Sequence, residues 1–194
     1  MGQDVVFACK CGRIMGRLIE TSPRTGTACI CHCRFCRAAE VYLDQDDPGW
    51  DGVGVFQTRA DLLRIDEGLS QLAAFSFSKG GLIRWYARCC KAPLFNTLPN
   101  PRWGMVSVSA DRFPDPSPLG EIRVVAWEPD ETGKRRTTGL LRAIWGVASR
   151  AAALQIGNKW RKNPLFGRSQ RPIVPVHVLS DIEKAQLPLR DGTE

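Results

Sequence analysis

No apolar run in this 194-residue sequence approaches the length that spans a bilayer, which excludes a helical membrane span. The stretch Met1 to Lys10 carries Asp4 and lacks the basic-then-apolar pattern of a secretion leader, so the expected compartment is the cytosol. No internal repeat and no low-complexity tract is present. The βαβ pattern around which a thioredoxin-like redox motif is built is also missing. Acidic residues are absent from Lys134 to Arg171, where ten basic ones stand. Proline and glycine, by contrast, are plentiful at 13 and 18 residues. Such frequent turns favour β structure over a helical bundle. The length suits one domain with an appendage, and an apolar fraction of 43% is enough to fill a core.

The formal charge is +7, spread unevenly: 14 basic against 12 acidic residues up to Leu119, and 13 against 8 from Gly120 onward. Bound metal changes this sum. Seven thiolates and two zinc ions would bring the total to about +4, so the basic composition alone is a weak argument for nucleic acid.

Short strands are expected at Val5 to Ala8, Arg13 to Glu20, Thr27 to Cys31, Val55 to Thr58, Leu62 to Ile65 and Met105 to Val108. Leu72 to Ser78 and Leu82 to Arg88 flank Lys79-Gly80-Gly81 and read as a hairpin. Pro114 to Pro118 (PDPSP) is the linker candidate. It divides a β domain over 1–113 from an extension over 114–194. In the extension, Leu140, Leu141, Ile144, Val147, Ala148, Ala151 and Leu154 recur at helical spacing, giving an amphipathic helix about 138–156. Thr137 or Thr138 is its expected cap and Gly157 its end. Ser180 and Glu183 form a capping-box pattern before a short last helix.

Eight cysteines in a reducing compartment are poor disulfide candidates and better metal ligands or redox groups. Six of them crowd into the strings CKCG and CICHCRFC, and the other two are Cys89-Cys90. Short Cys-x-Cys and Cys-x-x-Cys loops place two sulfurs on one side of a tetrahedral site, and a distant pair brought in by folding closes it. Burial as small apolar groups and a redox Cys33–Cys36 pair are the other readings.

Cys9-Lys-Cys11-Gly12, CHCRFCR from Cys31 to Arg37, and WYARCCKAPL from Trp85 to Leu94 together resemble the glutathione-dependent formaldehyde-activating enzyme family, which includes centromere protein V. The resemblance covers roughly residues 5 to 110. It implies a β-tent fold, two sheets meeting along one edge with zinc loops at the ends, and hence a mainly β, zinc-stapled domain. It implies a closed structural zinc site at Cys9, Cys11 and Cys90. The family's fourth cysteine falls at Ala87, with Cys89 the substitute and Cys29 a competitor. It implies a second, working zinc at Cys31, Cys33 and Cys36. Three thiolates leave a fourth position open, which is what separates working from structural zinc.

An incoming thiol such as glutathione can bind there as a thiolate, so the implied activity is that of a carbon–sulfur lyase or synthase on a thiol–aldehyde adduct. Arg34 and Arg37, beside the cluster, can grip a carboxylate on that thiol or offset the thiolate charge. His32 points away from the sulfurs by alternation, as a surface group or as a ligand or proton shuttle. At least one of Trp85 and Tyr86 belongs to the core. Asn96, Thr97 and Asn100 are turn formers or ligand donors. The alternative is a non-catalytic zinc module whose basic stretch, with Trp145, Trp160 and Phe166, binds nucleic acid or a protein. A solvated helix face is the favoured account of that stretch. The helix from Leu140 to Leu154 is apolar enough to pack on the β domain or on a second subunit.

Overall fold

The computed structural model describes residues 2–189. Met1 and 190–194, the outer ends of the two expected segments, lie outside the described residues. The elements run β1 (Gln3–Ala8), β2 (Met15–Thr21), β3 (Gly26–Cys31), α1 (Arg34–Tyr42), β4 (Val53–Arg59), β5 (Leu63–Glu67), β6 (Leu72–Ser76), β7 (Ile83–Ala87), β8 (Pro93–Thr97), β9 (Met105–Ser109), β10 (Ile122–Pro129), β11 (Arg135–Thr138), α2 (Leu140–Gln155), β12 (Val176–Val178) and α3 (Asp181–Ala185). They build the expected mainly β, two-sheet fold with a C-terminal helix. One sheet has the order β1-β2-β5, and the other β11-β10-β3-β4-β9-β8-β7-β6-β12. The chain passes between them three times, from β2 to β3, from β4 through a single helical turn, Ala60–Leu62, into β5, and from β5 to β6.

The sheets face each other across one apolar core, because side chains alternate between the faces of each strand. Val5, Phe7 and Leu18 come from the small sheet, and Ala28, Phe56, Trp85, Phe95, Val106 and Val108 from the large one. Phe7 meets Phe95 edge-on at 5.3 Å, an orientation that aromatic quadrupoles favour. Trp85 is buried while Tyr86 lies on the opposite face. The Trp85 Nε1–H donates to Thr97 Oγ1 at 2.9 Å within this core. Thr97→Val keeps the shape and orphans the indole N–H, so urea unfolding should show a loss of about 1–2 kcal/mol.

The large sheet's outer face is covered too. Ala38 and Ala39 of α1 and its C-cap Leu43 pack on Phe75 and Phe77 beside Leu179, and the Tyr42 and Phe75 rings meet at a tilt with centres 4.5 Å apart. All five residues of β6 are therefore buried. Helix α1 is absent from the elements expected of the sequence. Its N-cap is Cys33, whose sulfur accepts from the Cys36 N–H, in place of the Ser, Thr, Asp or Asn that mark helix starts. The strand-to-helix step that the sequence does not display is thus present, directly at Cys33-Arg-Phe-Cys36.

The segment beyond Pro114 extends the same sheet at both ends rather than only laying a helix upon it. β10 pairs parallel with β3, and β12 pairs parallel with β6. Leu165 and Phe166 enter the main core. Helix α2 begins after Gly139, which holds φ at 75° with no side-chain cap, so neither threonine serves. Gly157, at φ 67°, follows its end. The Ser180–Glu183 capping box opens α3. No helix among the described residues is long and apolar enough to cross a membrane.

Candidate metal centres

The turn between β1 and β2 carries Cys9 and Cys11, and the turn between β7 and β8 carries Cys89 and Cys90. The four Sγ atoms lie within 4.8 Å of one another. Cys9 is 3.7 Å from Cys11 and 3.9 Å from Cys89, Cys11 is 3.3 Å from Cys89, and Cys89 is 4.0 Å from Cys90. Four sulfurs about 2.3 Å from a tetrahedral zinc stand about 3.8 Å apart, so the spacing fits that ion. Disulfides would need about 2.0 Å, and all eight cysteines are free. The turn geometry prepares the site. Gly12 holds φ at 74°, a left-handed value that suits glycine, and the Ile14 N–H donates to Cys9 Sγ at 3.3 Å. The Arg13 backbone N–H, and next the Cys89 thiol, bring the Cys11 thiol down to about 7. Burial, then hydrogen bonding to Cys11, pushes Cys89 up to about 12. Cys89, not Cys29, is therefore the fourth member. Ala87, fully buried, uses its backbone N–H on Ala92 O and its carbonyl on the Cys90 N–H.

The second group is Cys31, Cys33 and Cys36, again with sulfurs within 4.8 Å of one another. Cys31 ends β3, Cys33 caps α1 and Cys36 sits in its first turn. Hydrogen bonds with Cys31, then Cys36, hold the Cys33 thiol far below the usual range. The reciprocal bonds with Cys33, then Cys36, together with burial drive Cys31 far above it. For Cys36 the bond with Cys31 lowers the value, but the bond with Cys33 and burial outweigh it. A divalent cation among the three sulfurs would favour all three as thiolates. His32 joins neither group. Its Nδ1 is buried with no hydrogen-bond partner, and its backbone N–H donates to Ala126 O.

A pocket of about 470 Å³ opens onto the trio, walled by Phe35, Phe77 and Leu82, a size typical of small-molecule sites. Its floor is the outer face of the large sheet. Four cross-strand pairs run in register across it: Thr27 opposite Gln57, Gln57 opposite Ser107, Ser107 opposite Asn96, and Asn96 opposite Arg84. A buried arginine stands at each end of this polar row. Arg150, 6% exposed, donates to Thr27 Oγ1 and Gln57 Oε1 at 3.1 and 3.2 Å. Arg84, 5% exposed, reaches Asn96 Oδ1 at 3.4 Å and lies over the Phe77 ring at 5.2 Å. Neither pairs with a carboxylate among the described residues, and the Nε of each is buried and unpartnered. Beside the pocket, a cavity large enough for a water molecule is shared by Cys36, Glu40, Arg84 and Asn96. There burial, then the charge of Asp111, raises the Glu40 carboxyl to about 7.

The other expected groups fall elsewhere. Arg37 makes a two-toothed ion pair with Asp47, both bonds 2.7 Å, and does not line this pocket. Arg34 lies over the Phe35 ring at 5.2 Å and faces a neighbouring hollow with Cys33, Trp127 and Arg135. Asn100 is a turn former, accepting from the Arg102 N–H. Cys29 stands on β3 facing the pocket, its thiol pushed up to about 11 by burial and then by Cys36 and Cys33. Sequence reasoning missed Arg84, which reads as one more polar residue in a hairpin strand.

The model of a family of unknown function, DUF6151, matches residues 1–114. The chain belongs to that family. Both sulfur groups and Arg84 lie inside the DUF6151 segment, whereas Arg150 and α2 lie outside it. No curated protein matches the chain. Among solved structures, a Rhodobacter sphaeroides protein, Northeast Structural Genomics target RhR83, is 22% identical, with a TM-score of 0.44 over 60% of this chain and 96% of that one.

Proposed function

We propose that this is a two-zinc, thiol-handling protein similar to glutathione-dependent formaldehyde-activating enzymes, making or breaking the carbon–sulfur bond of a thiol–aldehyde adduct. One observation carries the reading: four sulfurs close upon one another, while three others end at an open pocket. Cys9, Cys11, Cys89 and Cys90 would hold a structural ion, and Cys31, Cys33 and Cys36 a working one. Zinc, when bound, supplies the affinity that keeps an incoming thiol as its thiolate at the fourth position. The chain provides the rest. Phe35, Phe77 and Leu82 give the pocket an apolar wall, and Asn96, Gln57 and Ser107 offer hydrogen bonds to a polar ligand. On adduct formation sulfur bonds to the aldehyde carbon, the carbonyl π pair moves to oxygen, and the thiol proton ends on that oxygen. The reverse step breaks the same bond. Glu40 holds a proton near neutrality in the cavity beside Cys36.

Metal analysis of the purified chain should find close to two zinc per molecule, and a metal-free folded protein refutes both sites. With cobalt in place of zinc, glutathione should change the visible spectrum saturably. Cys33→Ser should fold and lose that response; a folded variant that keeps it shows that the open site is misplaced.

The second reading, a non-catalytic zinc module for a macromolecular partner, is favoured by the outer face of α2. Leu141 is 83% and Trp145 76% exposed, and the neighbouring β11 carries Arg135 and Arg136. Salt-dependent binding of DNA or RNA, lost when basic residues between Lys134 and Arg171 are neutralised, would select it.

A further inference from the structure

We infer that Arg84 is the group that holds the carboxylate of a thiol bound in the pocket beside Cys31, Cys33 and Cys36. The inference rests on the thiol-binding reading and names the residue that recognises the far end of the thiol. A guanidinium is costly to bury unless an anion or full hydrogen bonding compensates it. The less buried Arg59 and Arg37 each take a two-toothed carboxylate, Asp61 and Asp47. Arg84 is deeply buried, yet it has only a long bond to Asn96, the face of Phe77, and an Nε without a partner. Glu40 lies in the adjoining cavity but makes no ion pair with Arg84.

Arg150 is buried in the same way, but its fork is taken by Thr27 and Gln57 at the other end of the polar row. Arg84 is the arginine that shares the pocket with all three sulfurs. One fork flanked by neutral donors, Asn96, Ser107 and Gln57, suits a planar monoanion, which a carboxylate is. The same pocket thus offers a soft end for sulfur and a hard, positive end for oxygen.

The alternative role for Arg84 is simple offset of the thiolate charge, since it lowers both Cys33 and Cys36. The two roles separate in one titration. Cobalt-substituted protein is titrated with 3-mercaptopropionate and with its uncharged amide, 3-mercaptopropanamide, following sulfur-to-cobalt charge-transfer absorption. Wild type should bind the acid at least tenfold more tightly than the amide. Arg84→Gln should abolish that preference, weakening the acid at least tenfold more than the amide. Arg84→Lys, which keeps the charge but not the planar fork, should retain a reduced preference and guards against a folding failure of the glutamine variant. Equal binding of acid and amide by wild type, or equal weakening of both in the variants, overturns the carboxylate role and leaves the thiol reading intact. Silence from both thiols overturns the thiol reading, and this inference with it.

Discussion

Cys9→Ser will lower the zinc content by one equivalent and bring the unfolding midpoint down by more than about 10 °C, whereas Cys33→Ser will remove the other equivalent at much smaller cost. The asymmetry follows from what each sulfur group joins. Cys9 and Cys11 sit on the small sheet, Cys89 and Cys90 on the large one, so an ion among them links two layers otherwise held by side-chain packing. It also closes a loop of eighty residues between Cys9 and Cys89, and cross-links over long loops remove the most freedom from the unfolded chain. Structural zinc contributes on the order of 10 kcal/mol or more in small domains. Here an apolar core shares the task, so partial retention of structure is expected in place of full unfolding. Cys31, Cys33 and Cys36, by contrast, are neighbours in sequence, and fixing them restrains little else. Calorimetry of both variants beside metal analysis checks this. Equal midpoint losses in the two would show that the first group is no staple.

Glu40→Gln will stabilise the protein increasingly as pH rises, reaching about 2–3 kcal/mol above pH 7. Burial raises the Glu40 carboxyl from 4.5 to about 7, so the native state prefers it protonated. Below the ordinary value both states are protonated and nothing is lost. As pH climbs from about 4.5 to about 7 the unfolded chain ionises first and gains on the native state, and the penalty then levels off. Glutamine keeps the shape and removes the titration. Unfolding of metal-saturated wild type and variant between pH 5 and 8 should give curves that diverge with pH; parallel curves would mean that Glu40 is solvated like an ordinary carboxyl. Comparing two proteins with the same cysteines cancels the pH dependence of metal binding.

Strands β1 to β7 and β9 could be read from alternation and turn residues, because an antiparallel strand with one face on a core writes its burial into every second position, whereas β8, where Asn96 and Thr97 read as turn formers, and β11 were not. The sulfur groups could be read because eight cysteines cluster so tightly, and the closed group needed only Cys89 to be chosen over Cys29. Helix α1 could not be, since a cysteine caps it and its apolar face, Ala38, Ala39 and Leu43, is small. That one omission hid more. Arg84 stands on the face of β7 that would be wet in an open sheet; it is buried because helices cover that face. β10 and β12 escaped for another reason: parallel partners far apart in sequence leave no local turn to announce them.

That parallel pairing also sets an order of events for the newborn polypeptide. Every cysteine has been synthesised once Cys90 is made, but the edges of β3 and β6 wait for Ile122–Pro129 and Val176–Val178. Until those late strands arrive, two rows of backbone donors and acceptors stand bare on an otherwise assembled sheet, open to pairing with a neighbouring chain. A nascent fragment ending near residue 114 will aggregate more readily than the whole chain, because β10 and β12 cover those two edges.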